Sequence, residues 1–185
     1  MRNIDIMLAV KAEEIMNDYG KLSKDINKPV LITPSILNKN YLRLLPEDDS
    51  VVCVDEELTL SIKANIGDMI RLNVRSLNIE TTYSAALVKI EPMNVMRDGV
   101  VSMVSLPVVE SVVRSVATVD MKNTVDVDIN TMKDYHWMIK VNDLPSVDRI
   151  STMYYLSTIA IYRDKMLMGY IALESGLILD HTVMM

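Results

Sequence analysis

The chain has 185 residues, half of them apolar, with a formal net charge of −6 and a pI near 4.9. That acidic field repels phosphate backbones and anionic headgroups, which disfavours nucleic acid as a partner, and self-association becomes easiest near the pI, where the repulsion vanishes. A chain of this length can bury roughly 70% of its unfolded surface, so a single domain over residues 1–185 needs no metal or disulfide to hold it, and Cys53, the only cysteine, can form neither an intrachain disulfide nor a cysteine-based zinc site.

Only 5% of the residues are aromatic and there is no Phe, so the apolar bulk comes from Val, Ile, Leu and Met. β-Branched richness without long runs of 3.6 periodicity points to strands.

In chain order, Ile4, Ile6, Leu8 and Val10 alternate with Asp5, Met7, Ala9 and Lys11, which predicts a first strand placed centrally, because its second face is itself half apolar. The run is broken by Asp5 and has no small-residue cleavage pattern, so no signal peptide is expected and the cytoplasm is the expected compartment. Ala12 to Tyr19 holds good helix formers and is closed by Gly20, where a left-handed cap would sit. Lys21 to Asn40, with Pro29 and Pro34, reads as an irregular connection. Tyr41 to Leu45 reads as a brief strand before Pro46 and the acidic turn Glu47-Asp48-Asp49.

The stretch from Glu57 to Arg75 organises the rest. Leu58, Leu60, Ile62 and Ala64, then Ile70, Leu72 and Val74, recur with a period of two. Between the runs lies Asn65-Ile66-Gly67-Asp68, where Gly67 can take a positive φ without steric cost. These are two amphipathic strands that either pair as a hairpin or pass to opposite sheets.

Ser84 to Ile90 is strand-like and stops at Pro92, and Arg97-Asp98-Gly99 is a turn. Val100 to Val119 is the most apolar window, but Pro107, Glu110 and Arg114 prevent it from spanning a membrane. Its valines fall at helical spacing while their branching favours extended chain, so it stays unassigned. Val125 to Ile129 and Tyr135 to Val141 read as half-buried strands. Met153 to Tyr162 and Leu167 to Leu173 form a hairpin around Arg163-Asp164-Lys165, with a further strand at Leu177 to Leu179. About eight to ten strands fold readily into two layers. The expected fold class is mainly β, a single-domain antiparallel β-sandwich with one or two short helices.

Chemistry is sparse. Two histidines, His136 and His181, and one cysteine give no HExxH, no GxSxG and no phosphate-cradling glycine loop. Asp180 precedes His181, but a Ser-His-Asp triad is recognised by geometry rather than by sequence. No enzymatic activity and no cofactor are expected. Asp126, Asp128 and Asn130 match the first ligand positions of a calcium-binding EF-hand loop, yet Thr131 replaces the glycine its bend requires and Trp137 the bidentate Glu, so no metal site is expected. Asp134, Tyr135, His136 and Trp137 are the one place where rings, a titratable donor and a carboxylate cluster, the set with which proteins stack on sugars and bond their hydroxyls. The same spacing puts Tyr135 and Trp137 on the face of Ile139 and Val141, where they would be core.

Methionine is the oddity of the composition, at 15 residues. Thioethers fill gaps left by absent Phe, but Met93, Met96, Met121, Met132 and Met166 fall in or near predicted turns, where exposure favours self-association.

Ile4 to Tyr19, the set Leu60, Ile62, Ala64, Gly67, Asp68 and Ile70, and the late hairpin ending Gly169-Tyr170 resemble the PixA inclusion-body proteins and their AidA relatives, with PixA the closer match. That family is methionine-rich and accumulates as crystalline cytoplasmic inclusions. Its broader members carry an aromatic ending with Trp-Asp-Pro where this chain has Leu173-Glu174-Ser175. The resemblance implies a β-sandwich that oligomerises, as a dimer, and binds glycans like a lectin without enzymatic activity. A pocket built from this aliphatic alphabet suits a deoxy sugar such as fucose. A methionine or sulfur store that self-assembles into inclusions is the alternative, and release on lysis would bring either form to host glycans.

Overall fold

The structure is a computed structural model that describes residues 1–32, 41–46, 49–54, 58–77, 82–93, 103–119, 127–145 and 152–181. Its elements are β1 (Asn3–Val10), α1 (Ala12–Tyr19), β2 (Val30–Leu31), β3 (Leu42–Pro46), β4 (Val51–Val54), β5 (Leu60–Ala64), β6 (Met69–Ser76), β7 (Tyr83–Pro92), β8 (Val108–Val119), β9 (Val127–Lys140), β10 (Thr152–Arg163) and β11 (Met166–His181). Sheet I runs β3-β1-β6-β9-β8, and sheet II runs β4-β5-β11-β10-β7 with β2 also paired to β11. The mainly β, two-layered fold expected from the sequence is therefore present, with one helix among the described residues.

One hydrophobic cluster draws on both layers: Ile4, Ile6, Leu8 and Ile70 from sheet I, Ile62, Leu87, Ile159 and Ile171 from sheet II, and Ile15 from α1. β1 lies between β3 and β6, and its odd-numbered Ala9 is as buried as its even-numbered isoleucines. Its two-sided apolar pattern fits that interior place. The helix ends where Gly20, at φ 67°, donates its N–H to the Met16 carbonyl at 2.9 Å.

The organising pair resolves as a passage between layers: β5 belongs to sheet II and β6 to sheet I. Gly67 takes a φ of 92° in the turn that joins them. The Asp68 carboxylate, 1% exposed, accepts the Arg2 N–H at 2.8 Å and the Asn65 N–H at 3.0 Å, and lies 3.6 Å from the Arg2 guanidinium. Gly67 N–H bonds to the Val141 carbonyl and Val141 N–H to the Asp68 carbonyl, so the same turn holds the residue that follows β9. This passage has a topological consequence. Parallel neighbours require a crossover, and the chain that leaves β1 visits sheet II as β5 before returning beside β1 as β6. The β1–β6, β2–β11 and β5–β11 pairs are parallel, so the antiparallel sandwich of the sequence reading is a mixed one.

Several local expectations are refined. The irregular connection after α1 contains β2, which pairs with Ile171 and Ala172. The valine-rich window, left unassigned, is extended over Val108–Val119, so branching at Cβ prevails over the helical spacing. Residues 127–133 are a strand but not a half-buried one: they are exposed on both faces. β6 pairs with β9 only between Trp137 and Lys140, and beyond it β9 has β8 as its neighbour. The two segments expected there form one strand. The β10–β11 hairpin turns at Asp164, at φ 53°, and β11 continues through Ser175 and Gly176 into the strand expected at Leu177 to Leu179. The turn at Arg97-Asp98-Gly99, along with Glu47 and Asp48, lies outside the described residues.

Replacing Asp68 by Ala leaves the backbone N–H groups of Arg2 and Asn65 without their acceptor and is expected to cost about 1–3 kcal/mol. Ile66→Ser in the same turn, at a side chain 61% exposed, should change stability little. Urea unfolding of the two variants checks the contrast.

Candidate functional site

Strand alternation divides the four β9 residues that the sequence groups together. Tyr135 and Trp137 face the other sheet. The Tyr135 hydroxyl and the Trp137 indole N–H both donate to the Leu87 carbonyl on β7, at 3.1 and 2.9 Å. Val88, the next residue, is the extra one in a bulge between β7 and β10, and bulges disrupt the local ladder. Burial raises the Tyr135 pKa above its ordinary value. These rings tie one layer to the other, and their polar ends are committed to that bond.

Asp134 and His136 point to the outer face of sheet I. Asp134 has a side chain only 7% exposed and pairs with Arg75 of β6 on one side and with Arg114 of β8, at 2.9 Å, on the other. The Arg75 hydrogen bond holds its carboxyl below the usual range against the opposing effect of desolvation. His136, 6% exposed, has Nε2 3.0 Å from the Glu110 carboxylate, directly across the β8–β9 pair. Asp5 and Arg71 form a further pair across β1 and β6. The outer face is thus a strip of alternating charge that crosses the sheet, with Met138 and Val112 between the charges.

Sequence reasoning missed Arg75, Glu110 and Arg114. The period-two spacing of Glu110, Val112 and Arg114 carries the signal, but it is legible only once the window is read as a strand. The other predicted candidates are not brought into a site. Asn130 donates to the Thr118 hydroxyl at 2.8 Å across the β8–β9 pair, and Asp128 is exposed beside it, while Asp126 lies outside the described residues. Among the described residues no group of three His, Cys, Asp or Glu side chains is placed to hold a metal ion. Asp180 and His181 are sequence neighbours at the end of β11. Tyr155 on β10 is pushed up to about 12 by burial.

The model of the PixA family, described as inclusion body protein, matches residues 2–177. This chain belongs to the PixA inclusion body protein family. Among solved structures, the PixA-family inclusion body protein of Burkholderia cenocepacia superposes with a TM-score of 0.70 over 97% of this chain and 96% of that one, at 13% identity. No curated protein matches the sequence. At that identity the structural likeness speaks to the fold, and the family match makes this PixA protein an inclusion body protein. No helix among its described residues is long and apolar enough to cross a membrane.

For this PixA chain, Tyr135→Phe and Trp137→Phe should each leave Leu87 one side-chain donor, and the double variant none. The double loss is expected to exceed the sum of the single ones by about 0.5–1 kcal/mol, read from a double-mutant cycle of unfolding free energies.

Asp134 sets an acid limit. Its folded pKa lies below the unfolded value of about 4. Its contribution is therefore fully present above that value and is lost as pH falls through it toward the folded pKa. Stability should fall below about pH 4, and Asp134→Asn should be less stable at neutral pH with a shallower acid slope, measured by denaturant titration across the acid range.

Proposed function

We propose that the chain is one domain over residues 1–185, without catalytic activity, that assembles with copies of itself in cytoplasmic inclusions and binds glycans on the outer face of sheet I around His136. The self-assembly part follows from the family. The glycan part rests on one observation, the charged strip: Asp134, His136 and Glu110 converge on that face with Arg75 and Arg114, a dense set of fixed donors and acceptors for sugar hydroxyls. Val112, between Glu110 and Arg114, and Met138, next beyond His136, lie on the same face and offer an apolar surface to the methyl group of a deoxy sugar, which favours fucose-terminated glycans. The rings of Tyr135 and Trp137 play no part in this version, because their polar ends bond Leu87 on the inner side.

A store of methionine or sulfur is the second reading. It draws on the 15 methionines and on Met93, Met132 and Met166, which are about half exposed or more. Sulfur limitation should then deplete the inclusions.

The glycan reading is tested by thermal shift against a panel of sugars that includes fucose, together with a glycan array near neutral and mildly acidic pH. A ligand that binds only the folded state at a hundred times its Kd adds about 2.7 kcal/mol. Fucose should raise the Tm of the wild type but not of His136→Ala. An array blank at every pH would remove the glycan reading and leave self-assembly standing.

A further inference from the structure

Among the described residues, β8 is a long strand that nothing covers. It is the edge of sheet I, it runs for 12 residues, and all of them except Val112 are exposed. Strands average about 5–6 residues, and proteins blunt exposed edges with prolines, lysines or bulges because an open row of N–H and C=O groups templates another strand. Within β8 there is no proline, no lysine and no break in the register with β9. Beyond the reach of β6, β8 and β9 form a two-stranded ribbon that carries Val113, Val119, Val127 and Ile129 at 51–67% exposure. A two-stranded ribbon is marginal in water by itself.

We infer that β8 pairs antiparallel with β8 of a second copy of this chain about a two-fold axis at Val112, joining two copies of sheet I into one continuous sheet. The inference rests on the self-assembly reading above and assigns it a surface. The sequence of β8 identifies the partner because it is complementary to itself. With the axis at Val112, Glu110 stands opposite Arg114 of the second copy, and the reverse pair forms across the axis. Val112 meets Val112 and Val108 meets Val116. Directly opposed residues share a face with Cβ atoms about 4.5–5.5 Å apart, so opposite charges attract there and like charges repel.

Neighbouring registers are worse. An axis at Ser111 or Val113 sets Arg114 against Val108 or Val112. An axis at Glu110 or Arg114 sets like against like. Pro107, which has no N–H to give, closes the shared ladder just before Val108. The pairing also extends the charged strip. Glu110 already faces His136 at 3.0 Å, and Arg114 already faces Asp134 at 2.9 Å. The second copy adds its own Arg114 beside the Glu110–His136 pair. A closed two-fold contact gives a dimer rather than a fibre.

Sedimentation velocity on charge-reversed variants tests the register, with circular dichroism confirming that each is folded. Glu110→Arg alone opposes two arginines twice per dimer, and Arg114→Glu alone opposes two glutamates twice. Each should dimerise at least about tenfold more weakly than the wild type. Mixing the two variants restores both pairs, so the mixture should form a heterodimer with near wild-type affinity. In a Cys53→Ser background, Val112→Cys should cross-link to itself on mild oxidation, because Cα atoms across the axis fall within disulfide reach. Val109→Cys, whose counterpart is Ser115 rather than itself, should cross-link far less. A mixture no tighter than its components, or equal cross-linking at both positions, overturns the pairing. If the variants lose dimerisation alike and yet both form inclusions in cells, self-assembly stands and uses a contact besides this one, with the heterodimer still deciding the register. A wild type that stays monomeric at every concentration and forms no inclusions overturns both readings.

Discussion

The passage between sheets at residues 65–68 is the constraint on which the architecture depends. A hairpin there would have kept β5 and β6 in one layer. Burying a carboxylate is expensive unless its oxygens are bonded, and Asp68 meets that condition only where the N–H groups of Arg2 and Asn65 both point at it. The start of β1, the turn and the residue after β9 are therefore placed together. Once they are, β6 lies parallel to β1, and the two layers have their inner faces opposed. Ile4 then stands opposite Ile70 and Leu8 opposite Val74 on the core side.

A second link between the layers comes from β9. Its odd-numbered side chains reach across to the Leu87 carbonyl, and its even-numbered ones build the outer strip. One strand thus fastens the sandwich with one face and presents chemistry with the other. The division explains why a carboxylate as enclosed as Asp134 is tolerated: two guanidiniums from flanking strands compensate it, and both keep contact with water.

Much of the fold could be read from the chain before any coordinates. Helix α1 and its Gly20 cap, β1, the β10–β11 hairpin and the turn at Gly67 are all set by local periodicity and turn chemistry, and all stand where that periodicity puts them. What stayed hidden depends on distant partners. No feature within residues 57–75 states that β5 pairs with Leu177 to His181, nor does the β9 sequence state that its pairing with β6 stops at Trp137 and that residues 127–133 are left exposed. The candidate site was half legible for the same reason. The cluster Asp134 to Trp137 was visible as composition, and its division by face followed from alternation. Arg75, Glu110 and Arg114 became its neighbours only through strand order.

The place of β11 has a bearing on how the molecule comes to be made. It is the last strand described, yet it sits in the middle of its layer, with β5 and β2 along one side and β10 along the other. During translation, β5 emerges long before the strand that will lie next to it. Sheet II cannot close until β11 has left the ribosome, and such long-range closure slows folding and lengthens the time that bare strands are open to neighbours. For a protein that cells gather at high local concentration, this late-arriving central strand makes the order of synthesis and assembly a matter of timing as well as of affinity.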